Sequence, residues 1–154
     1  MVIIRKMSIF VKKSRRIFFE FWLPFIIWAL VIFSFSSSPA IKTSEIHWQD
    51  FIVKKTAHIA EYFIFSFLLY RALVNSQIKK RNAFLYTVMA AFFYGVTDEF
   101  HQSFTQGRES RLRDVMIDTA GSLLFVFFCY KIVPLSNKLM RLAEIFKLKS
   151  TNEL

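Results

Sequence analysis

Thr97–Gly121 reads TDEFHQSFTQGRESRLRDVMIDTAG, a stretch that places acids, bases and a histidine between two apolar segments. Before it lies Ala83–Val96, without a charged residue, and overlapping its end is Val115–Val133, apolar but for Asp118 and Lys131. A helix rises about 1.5 Å per residue, so Ala83–Val96 alone reaches about 21 Å, short of a hydrocarbon layer of about 30 Å. A helix that crosses there must continue through Asp98 and Glu99. A charged side chain at bilayer depth costs roughly 2.5–3.5 kcal/mol by the lower estimates, so intramembrane acids are functional candidates by default. The stretch therefore predicts an all-α membrane protein whose chemistry lies where two spans meet a polar link.

The rest of the chain follows the same pattern. Its 55% hydrophobic content and mean hydropathy of +0.38 exceed the roughly 45–50% apolar content of soluble domains. Four spans are expected within one domain over residues 1–154, at about 18–35, 56–74, 82–100 and 115–133. Pro24 in the first is tolerable where neighbouring groups satisfy the freed backbone. That first segment is longer than the roughly 7–15 residues of a signal-peptide core, although its basic lead and Ser36, Ser37 and Ser38 resemble one. It is read as an anchor.

The formal net charge is +10, yet nucleic acid is not the expected partner, because the basic residues flank apolar runs and form no solvated face. Arg5, Lys6, Lys12, Lys13, Arg15 and Arg16 precede the first span. Arg71, Lys79, Lys80 and Arg81 separate the second and third, and Lys131, Lys138, Arg141, Lys147 and Lys149 end or follow the fourth. By the positive-inside rule both termini face the cytoplasm. Beyond Pro134, Leu135, Leu139, Leu142 and Phe146 recur at helical spacing among Lys138, Arg141 and Lys147, which predicts a C-terminal amphipathic helix on the inner leaflet. The lone cysteine, Cys129, can form no intramolecular disulfide, and the chain shows no Gly-rich phosphate loop or other cofactor motif.

With this topology the ionisable residues of the last three spans fall at one depth, near the outer face. On the second, Lys55, His58, Glu61 and Tyr62 are spaced to share a face, since residues three and four apart are neighbours. On the third, Glu99 is expected to face with Gln102, and Asp98 with His101. Asp114, Asp118 and Gly121 align on the fourth, where Gly121 permits close helix approach. Arg108 follows the turn signal Gly107 and is suited to bidentate pairing with a carboxylate or phosphate.

Three blocks, KTAHIAEY at Lys55–Tyr62, EFHQSFTQGR at Glu99–Arg108 and DVMIDTAG at Asp114–Gly121, resemble the signature blocks of the VanZ-like membrane proteins in order, spacing and position. The resemblance covers roughly residues 18–133. It implies a bacterial cell membrane location and a cell-envelope role, since the founding member is associated with low-level resistance to teicoplanin, a lipid-tailed glycopeptide. Two positions depart from the family pattern: Asp118 stands where Asn is usual, and Phe125 where a second Gly is frequent.

Several readings remain open. The polar residues either fix helix packing alone, or bind an anionic or zwitterionic envelope molecule such as a lipid headgroup, lipid-linked wall precursor or glycopeptide. They could also catalyse, with Glu99 or Asp114 as general acid or base, His58 as partner and Arg108 holding a phosphate. His58, Glu61, Glu99 and His101 offer a metal-ligand set of low specificity, and none is expected to be occupied. Ser110-Arg111 lacks the histidine that a lipid-phosphatase motif needs. Glu20 could serve a small proton-coupled exporter, but it lies close enough to the interface to snorkel.

The orientation is directly testable. In a Cys129-free background, cysteines replacing Ser44 and Ser110 should react with an impermeant thiol reagent in intact cells, while one replacing Ser76 should not. Labelling at Ser76 alone would invert the topology.

Overall fold

The structure, a computed structural model, describes residues 11–38, 47–105 and 111–148. These fold into α1 (Val11–Ser36), α2 (His47–Asn75), α3 (Lys80–Gln102), α4 (Leu112–Leu135) and the short α5 (Asn137–Ile145). Each long helix contains one expected span and runs beyond it. Apolar content marks the part suited to hydrocarbon, whereas the helical backbone continues into polar residues. In the first turns of α2, for example, Lys54 pairs with Asp50 at 2.7 Å in an i, i+4 bridge.

Three helices among the described residues, α1, α2 and α4, are long and apolar enough to cross a membrane. The third expected span, α3, has 23 residues and is not among them. Its ends carry Lys80, Arg81, Asp98, Glu99 and His101, which dilute the short apolar stretch between. The helix does continue through Asp98 and Glu99 to Gln102, as the length of that stretch requires.

Both prolines within long helices follow a widened turn. A π-helical turn at Phe18–Trp22 precedes Pro24, and another at Phe128–Ile132 precedes Pro134. Proline has no N–H to donate and its ring crowds the carbonyl four residues back, so an i→i−5 turn just before it keeps the neighbouring backbone bonded.

The packing inverts the soluble pattern. Leu85, Met89, Phe92, Phe93 and Val96 of α3 are exposed, as are Ile27, Leu30 and Phe33 of α1, while Thr87, Asp98, Glu99, Gln102, Asp118 and Ser122 are buried. α4 packs most extensively, on α2 and then on α3, and α1 leans chiefly on α2. Aromatic rings fill the middle layer: Tyr70 stacks on Phe84 at 4.3 Å, and Phe65 on Tyr94 at 5.0 Å. α1 is fixed by two side-chain donors, Trp28 Nε1 to the Glu61 carbonyl at 3.0 Å and the Tyr94 hydroxyl to the Ala29 carbonyl at 2.6 Å.

Small residues decide how closely the helices approach. A Cβ at Gly121 would lie 2.6 Å from the Ile59 carbonyl oxygen and 3.1 Å from the Tyr62 Cβ, so α4 touches the backbone of α2 there. At Gly95 the nearest atom would be Asp118 Oδ2, at 3.3 Å. Lipid offers helices little hydrophobic drive to associate, which leaves van der Waals fit and polar contacts to hold them.

The end of the bundle away from Asp98 and Asp118 is closed by two similar turns. After α2, Ile78 N–H bonds the Leu73 carbonyl and Gln77 N–H bonds that of Val74; after α5, Leu148 N–H bonds Ala143 and Lys147 N–H bonds Glu144. Both are Schellman closures with a non-glycine in the left-handed position, Gln77 at φ 68° and Lys147 at φ 53°. The second turn folds Lys147 and Leu148 back onto the bundle. The Lys147 ammonium reaches Glu20, its carbonyl accepts from Asn75 Nδ2 at 2.9 Å, and Leu148 packs against the core. Within α5 Ala143 is buried, while Leu142 and Ile145 are exposed.

These contacts order the effects of substitution. Gly121→Ala should destabilise the detergent-solubilised protein by about 1–3 kcal/mol, the usual cost of overpacking, and Gly95→Ala by less, because a side chain yields there and backbone does not. Gln77→Gly should stabilise by about 1 kcal/mol through relief of the left-handed conformation. Thermal denaturation of the three variants measures the order.

Candidate functional site

The polar cluster is assembled at the end of the bundle where α2 begins, α3 ends and α4 begins. Asp118 is its most enclosed member, fully buried on α4. His58 Nδ1 lies 2.9 Å from Asp118 Oδ1, which joins α2 to α4 across the contact that Gly121 permits. Since Asp118 occupies Nδ1, Nε2 is the ring atom left to address a ligand. One turn nearer the helix ends, Lys55 Nζ lies 2.7 Å from Asp114 Oδ2. Arg113 is 3.6 Å from the other oxygen of Asp114 and also covers the Phe51 ring at 4.9 Å. Two polar α2–α4 contacts thus follow the same helix faces.

α3 adds the remaining acids. Glu99 Oε2 accepts the backbone N–H of Arg111 at 2.8 Å, which ties the first residues of α4 to the end of α3. Asp98 Oδ2 accepts from Gln102 Nε2 at 2.7 Å. Asp98, Glu99 and Gln102 are all buried, and the charges of Asp98, Asp114 and Asp118 bear on Glu99. Four carboxylates therefore share one end of the bundle, where Lys55, His58 and Arg113 are the basic side chains paired with them.

Among the described residues, Asp98 Oδ1 and Glu99 Oε1 have no hydrogen-bond partner, and Asp118 Oδ2 and the Tyr62 hydroxyl have none beyond one another. The last two face the space beside Gly95, since a Cβ on that glycine would lie 3.3 Å from Asp118 Oδ2 and 3.6 Å from the tyrosine oxygen. Buried polar groups in folded proteins are overwhelmingly paired. Thr87 Oγ1 follows that rule within its own helix by bonding the Ala83 carbonyl at 2.7 Å, whereas the buried hydroxyls of Ser36, Ser66 and Ser122 do not.

Of the residues singled out in the sequence, Lys55, His58, Tyr62, Asp98, Glu99, Gln102, Asp114, Asp118 and Gly121 come to this end of the bundle. Two pairings differ from the expected ones. Gln102 bonds Asp98 one helical turn back instead of serving Glu99, whose partner is the Arg111 backbone. His101 turns away from the acids and meets Phe33 of α1 edge to face at 4.4 Å. Glu61 contributes its carbonyl to Trp28. Arg108 lies outside the described residues. The metal-ligand set is not gathered, because His58 is held by Asp118 and His101 by α1. Among the described residues no three His, Cys, Asp or Glu side chains are grouped to hold a metal.

Sequence reasoning missed Gly95, which makes room for Asp118 and Tyr62. Its signal was present: it is one of three glycines, three residues before Asp98 and hence on the same face. Glu20 is no isolated intramembrane acid, being paired with Arg16 at 3.1 Å and with Lys147.

The model of the VanZ/LLP1 family matches residues 7–134. Comparison with curated proteins and with solved structures finds no match.

The His58–Asp118 contact predicts non-additivity. In a cycle of His58→Gln, Asp118→Asn and the double variant, coupling of about 0.6–2 kcal/mol is expected, the range of buried interhelical polar contacts. Denaturation midpoints that simply add would show that the pair is not formed.

Proposed function

The chain belongs to the VanZ/LLP1 family, and from that premise we propose that it is a four-span envelope protein whose α2–α3–α4 cluster binds the polar head of a lipid-tailed molecule at the outer leaflet. The candidate ligands are an envelope lipid, a lipid-linked wall precursor or a lipoglycopeptide, and the physiological result is low-level teicoplanin resistance. The observation that carries this reading is the buried polar capacity around Asp98, Glu99, Asp118 and Tyr62 that the described residues leave largely unused. Carboxylates and a phenol in that setting suit a head rich in O–H and N–H donors, sugar hydroxyls and amines above all.

The membrane arrangement has its own support. The outward side of α3 is lined by Leu85, Met89, Phe92, Phe93 and Val96, and exposed apolar surface on that scale marks a lipid or partner contact. A crossing α3 would bring its acids to the depth of the site, and the distribution of Lys and Arg supports an orientation with that end outside the cytoplasm. A ligand with an acyl tail would then lay the tail in the bilayer, each buried CH₂ contributing about 0.8 kcal/mol, while its head meets the acids.

A second reading, a membrane-embedded hydrolase or transferase acting on a lipid-linked substrate, is favoured by one contact. His58 is held through Nδ1 by a fully buried carboxylate, the arrangement that orients an imidazole for proton transfer through its other nitrogen.

Expression in a glycopeptide-sensitive host should raise resistance to teicoplanin more than to vancomycin, which has no acyl tail. Glu99→Gln should accumulate normally and lose the effect. Equal protection against both drugs would refute the lipid-tail basis. Collapse of the Glu99→Gln protein in the membrane would assign the cluster to folding alone.

A further inference from the structure

A separate cleft opens at the other end of the bundle, between α1 and the turn that follows α2. Its volume is about 540 Å³, within the roughly 300–1,000 Å³ of small-ligand sites. The mouth is polar, formed by Lys13 and Ser14 of α1 and by Gln77, the residue held at φ 68° in the α2 turn. Farther along α1 the lining is apolar: Ile17, Phe18 and Ile26. Trp22 Nε1 donates to Ser76 Oγ at 3.0 Å and joins the two walls. From Ile17 to Ile26 a helix advances about 13 Å, so the apolar part is a trough running along α1.

Three features of this cleft point to one kind of occupant. Ser14, Phe18, Trp22 and Ile26 recur every fourth residue, a spacing that drifts off one face of a regular α-helix. The π-helical turn Phe18–Trp22 accommodates more residues per turn and holds that stripe on the cleft. π turns inside helices are frequent at functional sites. The charge at the mouth is of one sign: Lys12, Lys13 and Arg15 are exposed on α1, and Lys79, Lys80 and Arg81 begin the next helix across the turn. Arg16, the remaining base of that α1 group, is engaged by Glu20. Finally, a trough with a cationic mouth and an apolar length along a helix suited to cross a bilayer matches a membrane lipid in both charge and orientation.

We infer that this cleft is a binding site for an anionic phospholipid, its phosphate at Lys13 and Ser14 and one acyl chain along Ile17, Phe18 and Ile26. The site is independent of the polar cluster and of the function proposed for it. Lys13 contributes charge attraction, Ser14 and Gln77 offer hydrogen bonds to headgroup oxygens, and Trp22 forms the floor against which the chain packs.

Trp22 also reports on the occupant. In full-length protein carrying Trp28→Phe and Trp48→Phe, Trp22 is the one tryptophan left. Reconstituted in vesicles of phosphatidylcholine and phosphatidylglycerol with bromine on the acyl chains of one or the other, its fluorescence should be quenched by brominated phosphatidylglycerol with about a fivefold preference. That preference corresponds to the roughly 1 kcal/mol that a basic residue contributes near an anionic surface. Lys13→Glu should abolish the preference, and Lys12→Glu, outside the cleft, should keep most of it. Equal quenching by both lipids would reduce the cleft to ordinary annular contact and overturn the inference, as would equal loss in the two lysine variants. Should the tryptophan substitutions impair folding, native mass spectrometry of the unaltered chain with the same two lipids decides the matter: retained phosphatidylglycerol supports the site, and indiscriminate or absent retention refutes it.

Discussion

The arrangement of this bundle depends on the absence of a single Cβ, that of Gly121. With any larger residue there, α4 could not touch the α2 backbone at Ile59. His58 would not reach Asp118, nor Lys55 reach Asp114, at the distances that make those contacts charge-assisted hydrogen bonds. In lipid, where apolar burial discriminates poorly between one helix pairing and another, close backbone approach and directional polar contacts specify the partner. α2 and α4 have both, and they form the most extensive interface in the molecule. The position of α3 follows from theirs, because Gly95 admits Asp118 and Tyr62 between the helices.

Much of this was legible in the sequence. The helices could be found because apolar runs of that length have few alternatives, and the site because acids inside such runs are too costly to be incidental. Helical spacing placed His58 and Tyr62 on the side that faces α4, and Asp118 with Gly121 on the side that faces α2. What spacing could not supply was which of several neighbours each group would choose. Gln102 could face Asp98 or Glu99 with equal ease, and only the position of the Arg111 N–H, twelve residues beyond Glu99, decides between them. His101 was drawn into the cluster by its chemistry, yet the helix turns it toward Phe33. The ends of the helices were also read short, since polar residues that stop a hydropathy signal, such as Asp50 and Lys54, do not stop a helix.

The two ends of the bundle solve opposite problems. At one, carboxylates are buried with only part of their hydrogen-bonding capacity in use, a state that folding alone does not favour. At the other, Glu20 is met by Arg16 and Lys147, and the turn after α5 is clasped to α2 by Asn75. Most groups there are matched to one another, Arg71 Nε excepted, and among the described residues the exposed charges of the first turns of α1 are basic. An electrostatic axis runs along the molecule as a result, acidic where α3 ends and basic where it begins, aligned with the helices and so with a membrane normal if they cross one.

The way α1 is attached bears on how its sequence can drift. Trp28 and Tyr94 both donate to main-chain carbonyls, of Glu61 and of Ala29, and a carbonyl oxygen is supplied by whatever residue occupies the position. Substitutions at residues 29 and 61 can therefore accumulate without loosening this joint, provided the new side chain fits, whereas each donor is tied to one kind of ring. Heritable information about where α1 docks is concentrated in two aromatic residues and nearly absent from the residues they contact. A pairwise covariation signal across this joint is accordingly expected to be weak, even though its two hydrogen bonds set the height of α1 against the bundle.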